Sequence, residues 1–153
     1  MTTFEPIRIW LAGPPVPKGR PRLGRYGNVF TPKRTASYEA ALRGQASNVM
    51  NGRPPLNCAV ELEVTAYMPI PASWSRTNKE GALCGYLRPA GRPDLDNIVK
   101  AATDGCNGVI FTDDARIVTI HASKRYSATP GVAVTVRPVA TPVLPPSPIP
   151  GHP

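Results

Sequence analysis

Cysteine is scarce in this 153-residue chain, and the three present, Cys58, Cys84 and Cys106, are widely spaced with no C-x-x-C among them. That spacing gives neither a disulfide framework nor a zinc site, and reduced thiols in a cytoplasm are the expectation. Histidine is scarcer still. With only His121 and His152, imidazole-based nuclease or zinc chemistry would rest on His121 alone. No apolar run approaches the roughly 20 residues needed to cross a bilayer, and the start lacks the basic-then-apolar layout of a secretory signal. No membrane partner is expected. Acid is in short supply too, with ten Asp+Glu against eighteen Lys+Arg, a net charge of +8. An isoelectric point near 9.9 implies a polyanionic partner, and nucleic acid is the first choice for a chain with no amphipathic membrane helix.

What is present is unevenly placed. All five aspartates, Asp94, Asp96, Asp104, Asp113 and Asp114, fall within the stretch RPDLDNIVKAATDGCNGVIFTDD (92–114). Each alone has an ordinary explanation: a helix cap, or an i,i+4 ion pair contributing a few tenths of a kcal/mol. Concentrated in a basic chain, they repel one another and call for a balancing positive charge, for which oxygen-bound divalent cations are the usual choice. Lys100 stands four residues after Asp96 and four before Asp104. Carboxylates with a positioned ammonium are the components of a metal-dependent phosphoryl-transfer site. The front of the chain is the reverse. No acid lies between Glu5 and Glu39, while Lys18, Arg20, Arg22, Arg25, Lys33 and Arg34 all do. One surface is therefore expected to grip phosphates and another to hold metal, while Tyr26 and Phe30, interleaved with the basic residues, are placed either to stack on bases or to pack against the sheet.

Taken in order, residues 7–12 read as a strand, and Gly13–Gly27, with Pro14, Pro15, Pro17 and Pro21, as an extended basic arm or hairpin loop. It lacks the G-x-x-x-x-G-K-[ST] spacing of a phosphate loop. Thr31-Pro32 predicts a helix start and Asn51-Gly52 its end. Residues 58–68 give the clearest strand, with Val60, Leu62, Val64, Ala66 and Met68 alternating with Glu61, Glu63, Thr65 and Tyr67. Ser73 is the expected cap of a short helix, and a loop containing Arg88 and Arg92 leads on to a helix over Asp96–Cys106, with Ile98, Val99 and Ala102 inward. Arg76 and Lys79 on the short helix join the candidate DNA contacts. Val109–Phe111 is expected to be extended, followed by strands at 116–126 and 132–137. From Pro138 onward seven of sixteen residues are proline, so 1–137 is expected to be one domain and 138–153 a disordered, dispensable tail.

Within the helix reading, Asp96 and Lys100 share a face, and Asp94 and Asp96 alternate around Leu95 so that both carboxylates can point one way. Asp113 or Asp114 would complete the ring of oxygens around Mg²⁺, with Mn²⁺ able to substitute.

The stretch also resembles the RusA family of Holliday junction resolvases. The shared elements read D-L-D-N-I-V-K (94–100), D-G-C-N-G (104–108) and F-T-D-D-A-R-I-V (111–118). G-P-P-V-P-K-G-R-P-R (13–22), V-F-T-P-K-R-T (29–35) and the W-S at 74–75 fit as well. The resemblance spans about residues 7–137. It implies that Asp94, Asp96 and Asp114 are catalytic metal ligands, with Asp113 also in the ligand motif, and that Lys100 is the essential lysine. It further implies a homodimer acting on branched DNA. Gly105 departs from the pattern, where an alanine-like residue would favour the helix by about 1 kcal/mol. The expected fold is α/β, a mixed sheet of four or five strands with two principal helices. Two rival readings are a general or flap-type endonuclease and a non-catalytic DNA-binding module.

Overall fold

In the computed structural model, residues 4–140 are described. Six strands and three α-helices follow one another as β1 (Ile7–Ala12), β2 (Arg22–Leu23), β3 (Val29–Phe30), α1 (Lys33–Met50), β4 (Val60–Pro69), α2 (Arg76–Leu83), α3 (Leu95–Cys106), β5 (Ile117–Ser127) and β6 (Gly131–Pro138). Four strands form a mixed sheet in the order β1-β6-β4-β5, and β2 pairs with β3 in a separate two-stranded ribbon. The β4–β5 pair is parallel, whereas β4–β6 and β1–β6 are antiparallel. Parallel neighbours require a long crossover, and here that crossover is the stretch from Ile70 to Arg116. It holds α2, α3 and every aspartate of the protein.

The core follows from period-two burial. Val60, Leu62, Val64, Ala66 and Met68 of β4 are buried together with Val132, Val134 and Val136 of β6 and Ile7 and Ile9 of β1. Over this face lie Leu42, Ala46 and Met50 of α1 and Ile98, Ala102 and Cys106 of α3, closed at one end by the fully buried Ile110 and Phe111. Burying a side chain such as Ile98 or Leu42 contributes about 1.5–3 kcal/mol. Burial pushes the Cys106 thiol up to about 12, the Arg43 charge opposing it weakly, while Cys58 and Cys84 are exposed.

Several local expectations are corrected. Helix α1 starts at Lys33 because Pro32 keeps an extended ψ of 139°, and no side chain caps it. Its end is as expected, with Asn51 at φ 47° and Gly52 at φ 79° in the left-handed region. The cap of α2 is Ser75 rather than Ser73: its Oγ accepts from Asn78 N at 3.2 Å. Trp74 N donates to Pro71 O at 3.1 Å and its ring meets Tyr126 edge-on at 5.3 Å, which keeps residues 71–74 in a turn. Val109 and Ile110 form a turn instead of an extended piece, since their N–H groups both donate to Cys106 O, and only Phe111 is extended, bridged in parallel to Leu56. Of the two alternatives for the arm the hairpin is found: β2 within it pairs antiparallel with β3 just beyond Gly27, in strands too short to be read from alternation. At the other end β6 includes Pro138, and Val139 N donates to Ala59 O at 2.9 Å. The remainder of the proline-rich tail lies outside the described residues.

Gly105 has a packing reason. A Cβ there would stand 2.7 Å from Leu42 Cβ on α1. Leu42 cannot rotate that atom away, because its Cβ is fixed by the backbone. Gly105→Ala is therefore expected to lower stability despite the helix propensity it adds. Overpacking of about 1–3 kcal/mol outweighs a gain of about 1 kcal/mol. At about 2–4 °C per kcal/mol for a chain of this size, thermal melting should show a fall of a few degrees. An unchanged or higher Tm would mean that α1 and α3 can separate at no cost.

Candidate active site

The site is built where α3 begins and where the crossover returns to β5. Asp94 occupies the N-cap of α3 with extended ψ of 137°, yet its carboxylate makes no capping bond. An Asp cap normally contributes about 1 kcal/mol, so this carboxylate is left available. Asp96, in the first turn, accepts at Oδ1 from Asn97 N at 2.9 Å, and the positive end of the helix favours both anions. The chain reaches Asp94 through a cis Arg92–Pro93 peptide. Lys124 of β5 holds that approach by donating to Gly91 O at 2.7 Å and Pro93 O at 2.9 Å. Sequence reasoning missed Lys124: nothing local marks it, and only the parallel β4–β5 pairing sets it under the loop.

At the far end of the crossover, Asp113 and Asp114 have different tasks. Asp113 Oδ1 accepts from Ala115 N at 2.8 Å and so caps the 3₁₀ turn Asp114–Arg116. That hydrogen bond, with help from the Asp114 side chain and the Arg116 charge, holds the Asp113 carboxyl below its ordinary range. Asp114 instead faces α3, with Oδ2 4.0 Å from Lys100 Nζ. Asp96, Lys100 and Asp114 line one open cavity of about 280 Å³, whose apolar wall is Val99, Ile117 and Ile120. Asp94 lies in another, of about 330 Å³, with Lys18, Arg34, Arg92 and Asn97. The two carboxylates that flank Leu95 thus line separate cavities. Among the described residues no three His, Cys, Asp or Glu side chains converge closely enough to enclose an ion.

Asp104 links the two regions. Its Oδ1 is 3.2 Å from Lys100 Nζ and its Oδ2 is 3.0 Å from Lys18 Nζ, and Lys18 also donates to Glu39 Oε1 at 2.6 Å. Burial works against the Lys18 ammonium, but the hydrogen bonds to Glu39 and Asp104 outweigh it and raise its pKa above the usual lysine value. Lys18, grouped by sequence with the phosphate-gripping residues, is thus occupied by two carboxylates. Arg43 of α1 fixes the other end of α3 by donating to Asp104 O and Asn107 O, both at 2.9 Å.

The basic arm adjoins this unit. Arg20, Arg22 and Arg34 line a cavity of about 550 Å³ with Val16, Pro17 and Pro32. Arg34 and Pro17 also line the Asp94 cavity, so a basic trough leads from the ribbon to the start of α3. Arg25 and Lys33 are exposed beside it, and Tyr26 at the ribbon turn is 91% exposed, as stacking on a base requires. Arg76 and Lys79 on α2 line none of these cavities, and Arg76 pairs with Glu80 at 3.1 Å on an open surface, a pair of small energetic weight.

A basic trough that ends at Asp94, beside a cavity lined by Asp96, Lys100 and Asp114, is an arrangement suited to phosphodiester chemistry. Comparison with known families matches residues 12–137 to the family described as Endodeoxyribonuclease RusA. The chain belongs to the RusA endodeoxyribonuclease family, and is thereby a nuclease of the Holliday junction resolvase class. It is also 34% identical over 139 residues to Uncharacterized protein YqaN of Bacillus subtilis (strain 168), covering 88% of this chain and 97% of that one. No helix among the described residues is long and apolar enough to cross a membrane.

Proposed function

We propose that the protein resolves four-way DNA junctions in the cytoplasm of a bacterial cell or phage-infected host, by Mg²⁺-dependent hydrolysis of two symmetric phosphodiesters. The observation that carries this reading is the cavity shared by Asp96, Lys100 and Asp114, set beside a basic trough that ends at Asp94. These carboxylates suit a hard divalent ion by donor type. Asp96 and Asp114 are exposed, and Asp94 leaves its cap bond unmade. Mg²⁺ retains several waters and completes its shell with substrate phosphate, so no closed cage of three carboxylates is needed. Asp96 and Asp114 of the shared cavity would hold it, Mn²⁺ being an acceptable substitute, with Asp94 completing the ligand set from the adjoining cavity, and Asp113 would support Asp114 through the turn it caps. When bound, the metal supplies an activated water and offsets charge on the leaving 3′ oxygen.

The chain's own groups do the rest. Lys100, beside Asp114, orients the attacking water or stabilises charge that develops on the phosphate. Arg34 and Arg92 neutralise the backbone next to Asp94, while Arg20, Arg22 and Arg25 hold a duplex arm along the ribbon, with Lys33, Arg76 and Lys79 as outer contacts. Nicking two like strands of a junction requires two symmetry-related sites, which a homodimer supplies.

The test is cleavage of end-labelled four-way junction, duplex and flap substrates with Mg²⁺, alongside sizing of the purified protein. Paired nicks at symmetric positions in the junction, from a dimer, are expected. Equal cutting of flap and duplex would make the protein a general endonuclease. Binding without cutting would reduce it to a DNA-binding module.

A further inference from the structure

The aspartate least explained by metal ligation is Asp104, and its surroundings assign it other work. Its two oxygens face two different ammoniums, Lys100 at 3.2 Å and Lys18 at 3.0 Å. Lys100 belongs to the catalytic cavity; Lys18 belongs to the arm that carries Arg20, Arg22 and Arg25. The arm is also tied down by its backbone at this point. Lys18 N donates to Asn97 O of α3 at 2.9 Å, and Gly19 N donates to Thr35 Oγ1 of α1 at 3.0 Å. Gly19 permits this approach, since a Cβ there would stand 2.8 Å from Thr35 Oγ1.

We propose that Asp104 is a positioning residue, held by Lys18, that sets the Lys100 ammonium and so couples the seat of the basic arm to catalysis. The inference rests on the nuclease reading above and adds a route by which the DNA grip and the reactive groups are kept in register. Lys18, Asp104 and Glu39 have only 22%, 20% and 19% of their side chains exposed, against 54% for Lys100 and 45% for Asp114. The network is therefore most enclosed at the arm and opens toward the substrate. Ion pairs on that enclosed side are less screened than surface pairs. A lysine with a long flexible stem loses rotamer freedom when it must be oriented at the moment of reaction. Holding it in advance lowers the barrier rather than tightening substrate binding. Glu39 matters for the same reason. It offers Lys18 a second carboxylate from α1, so that the ammonium is held on Asp104 and Glu39 even though the side chain lines the Asp94 cavity.

Coupling of this kind makes separable predictions for Lys18→Met and Asp104→Asn. Each should lower the single-turnover rate on a bound junction at least about tenfold while leaving the metal-free junction Kd within about twofold. The double variant should be no slower than the worse single variant, because both substitutions break one chain of contacts. Lys18→Arg, which keeps the charge and can still reach Glu39 and Asp104, should recover most of the rate. The side-chain ¹³Cε resonance of Lys100 should shift in Lys18→Met without metal or DNA present, although the substituted residue does not touch it. Additive rate losses, an unmoved Lys100 resonance, or a Lys18→Met variant that loses binding but not rate would overturn the proposal. In the last case Lys18 is a phosphate contact. Absence of junction cleavage by the unsubstituted protein would instead remove the nuclease reading, and the resonance measurement would still decide whether Lys18 controls Lys100.

Discussion

Asp96→Asn and Asp114→Asn are each expected to lower Mg²⁺-supported junction cleavage by about a thousandfold or more, with metal-free junction binding unchanged or tighter. The loss follows from charge. Replacing one hard anionic ligand in the cavity with a neutral amide removes several kcal/mol of stabilisation for the metal-assisted step. Each 1.36 kcal/mol is a factor of ten in rate. Binding should improve, because the DNA phosphate no longer meets an exposed carboxylate beside Lys100. Asp94→Asn should behave alike, since Asp94 makes no cap bond whose loss could unsettle α3. Asp113→Asn is the internal contrast. Its role is to accept from Ala115 N at 2.8 Å, which an amide oxygen also does, so its rate should stay within about tenfold of the unsubstituted protein. Single-turnover assays on all four variants check the set. Asp96→Asn or Asp114→Asn keeping more than a tenth of the activity at saturating Mg²⁺ would remove the shared cavity as the site of chemistry.

Replacing Arg20, Arg22 and Arg25 together with alanine should produce the second large effect, on binding. Each phosphate contact to a duplex arm contributes about −0.9 to the slope of log K against log salt, so the triple variant should be shallower by roughly 2.7. Arg20 and Arg22 line the trough and Arg25 stands at the exposed turn of the ribbon. None of the three takes part in an ion pair among the described residues, unlike Lys18. The single-turnover rate at saturating protein should change little, because the groups around Lys100 are untouched. Titrations of a labelled junction at several salt concentrations give the slope. A slope equal to that of the unsubstituted protein would show that the ribbon points away from DNA.

The parts of the fold that were legible in sequence are those governed by local period. The alternation from Val60 to Met68 gave β4 and its buried face, and Ile98 and Ala102 gave the inner side of α3, because burial repeats with the backbone geometry that creates it. The aspartate cluster, Lys100 and the basic arm were legible because charge was concentrated against the composition of the chain. The pairings between distant residues were not. Lys18 stands among arginines in sequence, and nothing there shows that Glu39 and Asp104 claim its ammonium. Lys124 is one more residue of a strand until β5 is laid parallel to β4. Gly105 looked like a departure from a helical pattern until the close approach of Leu42 explained it. In each case the missing information was a contact across the fold.

The two tryptophans give the molecule a built-in pair of optical reporters at opposite edges of its sheet. Trp10, on β1, reaches over Gly131 of β6, where a Cβ would collide with its ring, and lies 5.8 Å from Tyr67 on β4. Its emission should follow the intactness of the sheet. Trp74 precedes the Ser75 cap of α2 and rests edge-on against Tyr126 of β5, so its emission should follow how α2 is seated. With Trp10 changed to Phe, Trp74 remains as the one tryptophan. Stopped-flow mixing with a junction would then report any change in the seating of α2 separately from strand cleavage.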